Sequence, residues 1–417
     1  MSARKTQKVR PERRGDMMTI LSASGADLKA REAQATAIRA SFEAAGFEPV
    51  NTPVLQPAEI FLDRSGEDIR RRTYLFQDPG GQELCLRPEL TIPVCRHYVE
   101  REPAGKSVAR LCASGPVYRY QPQGSSKLSE FNQCGLEILG PADEVASDVE
   151  MTKLGIAAVE AAGVTGYELE FGDLALFGEL VDALAIPDAW KGRLKRQFWR
   201  PAFFDTLLSD LSGADEESTM KPDSQDGLLS VLAGLKEEQA AALLQDVLKL
   251  SGINAVGGRG INEIASRLLE KAADRTTERM PDEATALLTN YIRISCSASS
   301  ALARIHDLVK ASGVSIDKGL NRLEKRLSAL AAVGIDLDTA KFSTGFGRKI
   351  EYYTGHVFEL RIPSMGADAV IAGGGRYDGL LVTLGATAPV RAVGCAIVLE
   401  RLFDAANRTA SEGGKGR

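Results

Sequence analysis

The chain has 417 residues, 44% hydrophobic and 26% charged, which is enough for two ordinary globular cores. Its 51 Lys and Arg against 56 Asp and Glu leave a formal charge of -5, and much of the positive charge sits in the opening "MSARKTQKVRPERR". The rest is therefore more acidic than the total, which excludes a global attraction to a polyphosphate backbone as the basis of function.

The basic opening could be a nucleic-acid arm or a transit peptide. It lacks the amphipathic, Ser-rich pattern of the latter, and no apolar h-region follows, so a solvated, disordered leader over 1–15 is the expectation. No apolar run approaches the roughly 18 residues of a membrane helix, and the expected location is cytoplasmic. Six cysteines include no C-x-x-C pair, and none of the three histidines is spaced with them as zinc ligands. Free buried thiols are expected, with no metal and no cofactor.

In chain order, "DLKAREAQATAIRASFEAAGF" has helical spacing and feeds an extended, proline-punctuated stretch, "FEPVNTPVLQPAEIF". Two short strands around a Pro-Gly-Gly turn follow in "TYLFQDPGGQELCLRPELT", and "TIPVCRHYVER" can begin a helix with Pro93 near its first turn. Ser114 to Gly140 reads as two strands around a long polar loop. From about residue 210 the chain turns Ala-, Leu- and charge-rich. Strand signals return at "AKFSTGFGRKIEYYTGHVFELRI" and "ADAVIAGGGRYDGL", and "RAVGCAIVLERLFDAANR" runs from strand to helix. The expected organisation is a core of 16–205 and 335–407, an inserted mainly helical region over 206–334, and a flexible tail over 408–417.

Taken as a strand, "FNQCGLEILG" places Phe131, Gln133, Gly135 and Glu137 on one face. Gln133 and Glu137 then stand about 13 Å apart, with a glycine between them where a ligand could lie on the backbone. Alone, this pattern fits an ordinary strand with one wet face more simply. In "LRPELT", Arg87 and Glu89 would share a face at a strand edge. In "GRKIEYYTG", Arg348 could fork onto a carboxylate beside two phenols, or simply pack on them. "AGGGRYDGL" lacks the Lys-Ser/Thr of a P-loop and reads as a tight turn at a strand end.

Together and in order, "LRPELT", "GPVYRY…SEFNQCGLEILG", "GRKIEYYTGHVFE", "AGGGRYDGL" and "AVGCAIVLERL" resemble the catalytic domain of the histidyl-tRNA synthetases, over about residues 20–175 and 340–405. That resemblance implies an α+β fold of class II aminoacyl-tRNA synthetase type: an antiparallel sheet flanked by helices, with an inserted helical region. It also implies a homodimer and a histidine pocket. Carried across, the pocket has Glu89, Thr91 and Gln133 at the amino group, Arg348 at the carboxylate, and Glu137, Tyr352 and Tyr353 around the imidazole. A zwitterion with an imidazole needs an anion, a cation and further hydrogen-bonding groups, and this set supplies them.

The ATP site departs from the same pattern. Arg119 and Arg401 are retained, but the loop reads "RYQPQGSSKLSEF": Gln121 replaces the adenine-clamping glutamate, while Lys127 and Ser129 replace arginines, and Lys349 stands where the family has glycine. Lysine does not reproduce a bidentate guanidinium. The chain also ends sixteen residues past Arg401, where the synthetases continue into an anticodon-binding domain. A vestigial ATP site (Arg119, Gln121, Lys127, Arg401), a kept histidine site and "VGGRGINEIASRLLEKAAD" resemble the regulatory subunits of ATP phosphoribosyltransferase. That resemblance implies no catalytic residue of its own and no tRNA. It implies assembly with the short-form catalytic subunit in a larger hetero-oligomer, with histidine as effector of the first step of histidine biosynthesis. A histidine-activating ligase or truncated synthetase, and a scaffold with a relic pocket, are the alternatives.

Overall fold

A computed structural model describes residues 24–62, 67–125, 127–199, 204–208, 239–240, 242–243, 280–347 and 351–413. The basic leader over 1–15 lies outside them, as do Arg348 and Lys349. The chain divides into two compact units, Met1–Ala183 with Ile292–Arg417, and Leu184–Tyr291.

Among its described residues the first unit is organised by twelve strands: β1 (Glu48–Pro49), β2 (Leu55–Pro57), β3 (Tyr74–Gln77), β4 (Glu83–Leu86), β5 (Ala109–Tyr118), β6 (Glu130–Leu139), β7 (Glu168–Asp173), β8 (Ser295–Ser297), β9 (Lys341–Ser343), β10 (His356–Arg361), β11 (Val370–Arg376) and β12 (Ala392–Val398). Nine form one sheet in the order β1-β5-β6-β12-β11-β10-β7-β9-β8, antiparallel except at β1/β5 and β7/β9. The remaining three make a small antiparallel sheet, β2-β4-β3. Its β3–β4 turn forms because Gly81 takes φ +85° and the Asp78 carboxylate accepts the Gln82 N–H at 2.9 Å.

Helix Glu144–Ala161 starts where the Asp143 side chain accepts the Ala146 N–H at 3.0 Å. It lies close on one face of the large sheet because Gly155 has no side chain. A Cβ there would stand 3.1 Å from the Cys395 sulfur and 3.2 Å from the Phe358 ring. Helix Asp317–Ala332 joins the same layer through the fully buried Arg326. Helix Thr91–Arg101 anchors a second core with Ile92, Val94, Cys95 and Tyr98.

Several expectations change. The compact second unit is 184–291, not 206–334: β8 pairs with β9 in the large sheet, and helices Ala298–Ala311 and Asp317–Ala332 belong to the first unit. The expected tail from 408 is helical as far as Gly413. Strand β4 ends at Leu86, because Pro88 cannot donate to a ladder. Arg87 is instead spent on backbone, its Nε donating to Pro116 O at 2.9 Å and its Nη1 to Thr52 O. The glycines of "AGGGRYDGL" are no turn, since Gly373, Gly374 and Gly375 all lie inside β11. In the second unit, helix Asp188–Gln197 buries Trp190 and Leu194, and Phe198 meets Phe204 edge-on at 5.8 Å.

Candidate functional site

Strand pairing brings the glycine-rich segments to one acidic residue. Glu137 on β6 is opposite Gly394 on β12, which is opposite Gly375 on β11. Two residues along, Gly135 faces Ala396, which faces Gly373. The result is a floor of small residues on the sheet face away from helix Glu144–Ala161. The floor must be small. A Cβ at Gly394 would overlap the Glu137 carboxylate, and one at Gly375 would lie 2.7 Å from His356 O and 3.1 Å from the Tyr353 ring.

Over this floor stand two buried carboxylates. Glu89, just before helix Thr91–Arg101, accepts the N–H groups of Thr91 at 2.7 Å and Ile92 at 2.8 Å, so it caps the helix start and meets its positive end. Glu137 accepts a hydrogen bond from the Tyr377 hydroxyl. The Thr91 hydroxyl favours the ionised form of both carboxylates. Burial pushes the Glu137 carboxyl up to about 8, against the Tyr377 and Thr91 hydroxyls and with help from Glu89. Glu89 is also raised, chiefly by burial, with the two N–H groups and then Arg119 opposing.

Gln133 shares the β6 face with Glu137 and is only 4% exposed, and its Oε1 has no hydrogen-bond partner among the described residues. A buried amide oxygen left so costs about 1–3 kcal/mol. Tyr352 meets Tyr353 edge-on at 5.2 Å and Tyr377 at 5.8 Å, and burial holds all three phenols neutral, well above their ordinary pKa. The pocket is therefore rich in acceptors and has phenol groups at one side. Chemically, it suits a ligand offering several N–H donors and a positive charge.

Of the expected histidine-site residues, Glu89, Thr91, Gln133, Glu137, Tyr352 and Tyr353 come together here, and Arg348 lies outside the described residues. Tyr377 was missed by the sequence reading. Its signal was its place directly after a strand whose glycines face Glu137.

The expected ATP-site residues lie on a neighbouring path. Arg119 donates from Nε to Pro88 O at 2.8 Å and packs over the Phe131 ring at 5.2 Å. Burial, then Arg72, brings its guanidinium down to about 10, with Glu89 opposing and Arg401 adding to the fall. Arg401 donates to Val370 O at 2.9 Å. Gln121 closes its own loop by donating to Leu128 O at 3.3 Å, and the Lys127 N–H donates to Ser125 Oγ at 3.2 Å. Ser129 is buried, with its hydroxyl lacking a hydrogen-bond partner among the described residues. Also among the described residues, no cluster of three or more His, Cys, Asp or Glu could hold a metal, and no helix is long and apolar enough to cross a membrane. All six cysteines are free.

The family model described as histidyl-tRNA synthetase matches residues 23–256 and 240–402. An ATP phosphoribosyltransferase regulatory subunit from Brucella canis is 36% identical over 368 residues, 88% of this chain and 95% of that protein. Among solved structures, an ATP phosphoribosyltransferase regulatory subunit/histidyl-tRNA synthetase from Bacillus halodurans aligns over 96% of this chain and 84% of its own, with TM-score 0.64 and 19% identity. A histidine–tRNA ligase subunit from Alicyclobacillus acidocaldarius aligns over 96% and 99%, with TM-score 0.58 and 25% identity.

Proposed function

Since the chain belongs to the ATP phosphoribosyltransferase regulatory subunits, on the histidyl-tRNA synthetase fold, we propose that it senses histidine in the Glu89–Glu137 pocket and sets the activity of a separate short-form catalytic subunit. It does no aminoacylation itself. The observation that carries the ligand is the buried Gln133 Oε1, without a hydrogen-bond partner among the described residues, on the strand face it shares with the buried Glu137. The ligand's ammonium is read by Glu89, Thr91 and Gln133, and its imidazole by Glu137 with Tyr352 and Tyr353. Its carboxylate falls to Arg348 by the family's motif. The working assembly is a homodimer of this chain inside a larger hetero-oligomer, and it calls for no cofactor, tRNA or membrane.

Feedback requires histidine to favour a less active arrangement of the complex, and such coupling is typically about 1–3 kcal/mol. The test is to mix the full chain with the short-form catalytic subunit, follow phosphoribosyl-ATP formation, and titrate histidine against the parent and Glu137→Ala. Stimulation by the chain with inhibition weakened in Glu137→Ala is expected. No effect of the chain on the rate rejects the regulatory role, whereas inhibition untouched by Glu137→Ala moves the sensor elsewhere.

A second reading, a ligase that adenylates histidine, is favoured by the retained Arg119 and Arg401. Against it, the Arg119 Nε and one Arg401 nitrogen are donated to backbone carbonyls, and Gln121 stands where the adenine clamp was. Histidine-dependent pyrophosphate exchange is expected at the no-histidine blank, and clear exchange above it would establish the ligase.

A further inference from the structure

The small sheet β2-β4-β3 has apolar residues on both faces. Its inner face holds Gln56 and Cys85, both buried, and Cys85 belongs to the core that helix Thr91–Arg101 anchors. On the outer face, strand pairing sets Leu55, Leu86 and Tyr74 in one row across the three strands, and Pro57, Leu84 and Phe76 in the next. Leu55 is 53% exposed, Phe76 38% and Tyr120 48%, and Tyr120 lengthens the first row by meeting Tyr74 edge-on at 6.2 Å. An antiparallel sheet that keeps one face in water carries polar side chains there. These two rows carry only apolar and phenolic ones, the composition of a face that a partner covers.

Charges at the two ends of the strands indicate which partner. At the Tyr74 end, helix Glu67–Arg72 closes on Arg70, Arg71 and Arg72, with Glu67 and Asp68 one turn earlier, and the Arg72 carbonyl accepts the Tyr120 N–H at 2.6 Å. At the Phe76 end stand Glu59, Asp78 and Glu83. The nearer charges are basic at one end and acidic at the other, so the face is complementary to a reversed copy of itself. A twofold axis lying in the face and across the strands makes that reversal. Each copy's basic end then meets the other's acidic end, and the row of Tyr74, Leu86 and Leu55 lies over the row of Phe76, Leu84 and Pro57. Sheets stacked face to face pack about 10 Å apart with interdigitating side chains. Three strands of up to four residues span only roughly 14 by 13 Å. That is the dry centre of a standard interface, and the charged ends supply its rim.

We propose that this outer face seats a second copy of the chain, joined about that twofold. The inference rests on the homodimer in the reading above and names its surface.

The test is sedimentation velocity of the full chain, with the parent expected to be a dimer at micromolar concentration. Phe76→Glu on β3 and Leu55→Glu on β2 each put a carboxylate into the covered face, twice by symmetry. Each should weaken the dimer at least about a hundredfold while the urea midpoint stays near the parent's. The two positions lie on opposite edge strands, so a folding defect in one leaves the other as the measure. Arg71→Glu should weaken the dimer about tenfold at low salt, and adding Glu59→Arg should recover most of that loss, because the two ends then exchange sign together. A parent that stays monomeric would reject the homodimer reading and this surface with it. A dimer as tight as the parent's in both folded Glu substitutions would keep the homodimer and overturn the surface. A lowered urea midpoint with the dimer intact would also overturn it, since the chain itself would then cover the face. An intact dimer that no longer stimulates the short-form catalytic subunit would overturn it in favour of that subunit. If Glu59→Arg deepens the loss caused by Arg71→Glu, the reversed seating is wrong.

Discussion

On the helix-covered face of the large sheet, buried charge is fully matched. Arg326 donates to Asp148 at 2.9 Å, Asp173 at 2.6 Å and Glu144 at 3.1 Å, while Arg376 donates to Asp148 at 2.8 Å, Asp378 at 2.9 Å and Ser147 at 2.7 Å. Burial opposes both guanidinium charges, and the surrounding aspartates outweigh it. On the opposite face, Glu89, Glu137 and Gln133 crowd acceptors together, with burial raising both carboxyls and the Gln133 Oε1 lacking a partner among the described residues. The first arrangement is complete in itself and holds helices to the sheet. The second is incomplete in itself, and a ligand would complete it.

The sharpest way to break this contrast is to remove one member from each face. Arg326→Ala leaves Asp148 and Asp173 buried without a main partner and should cost about 3–5 kcal/mol of unfolding free energy, read as a lower urea midpoint. Histidine affinity should change by less than about threefold, because Arg326 lies with its partners on the helix-covered face, opposite the pocket floor.

Glu137 should behave oppositely with pH. Its carboxyl ordinarily titrates near 4.5 and in the fold near 8. As pH rises, the unfolded chain gives up this proton first, so the stabilisation present below about pH 4.5 is lost progressively and is gone once pH passes about 8. The change attributable to this group is up to about 5 kcal/mol. Glu137→Gln should flatten that decline, measured by unfolding at about pH 5.5, 7 and 8.5. His356, held neutral chiefly by burial and then by Arg326, has the other sign: its depressed value means stability lost as pH falls below its ordinary value near 6.5. The difference between parent and variant isolates Glu137. A decline of equal slope in both would mean that the pocket carboxylate is not what titrates.

Much of the pocket was legible because a strand alternates faces every residue. "FNQCGLEILG" alone puts Gln133, Gly135 and Glu137 together, and resemblance supplied Glu89 and Thr91. Strand order was not legible. Nothing local in "AGGGRYDGL" says that Gly375 and Gly394 lie in register beside Glu137, so the glycines read as a turn and Tyr377 was overlooked. The unit boundary was missed for a related reason: β8 is only Ser-Cys-Ser, with no apolar alternation, and the helices after it have the same Ala- and Leu-rich composition as the segment before. Arg87 misled because its guanidinium, like the carboxylate of Glu89, can serve either a ligand or the backbone, and only the fold shows which.

For the ligand itself, Glu137→Ala should weaken histidine binding by roughly 2–4 kcal/mol, since it removes the ring's acceptor and leaves the buried Tyr377 hydroxyl without its carboxylate. Calorimetry on the full chain at about pH 8 reads this directly. Binding equal to the parent's would make the pocket a relic.

The smallest and most discriminating test uses two glycines of the same sheet, one on β11 and one on β6. A Cβ at Gly374 points to the helix-covered face and would lie 2.9 Å from the Phe358 ring and 2.9 Å from the Cys395 Cα, besides overlapping Gly394 O. Backbone cannot step aside there, so Gly374→Ala should cost about 1–3 kcal/mol of stability. A Cβ at Gly135 points to the pocket and meets only ordinary contacts, 3.6 Å to Cys395 O and 4.0 Å to both Glu137 Oε1 and Leu90 Cβ. Gly135→Ala should therefore change stability by no more than about 0.5 kcal/mol. Its methyl nevertheless stands on the floor between Gln133 and Glu137, where the proposed ligand lies, so histidine affinity should fall about tenfold or more. A Gly135→Ala variant as stable as the parent that binds histidine equally well would show that the ligand does not lie across this floor, whatever the two carboxylates do.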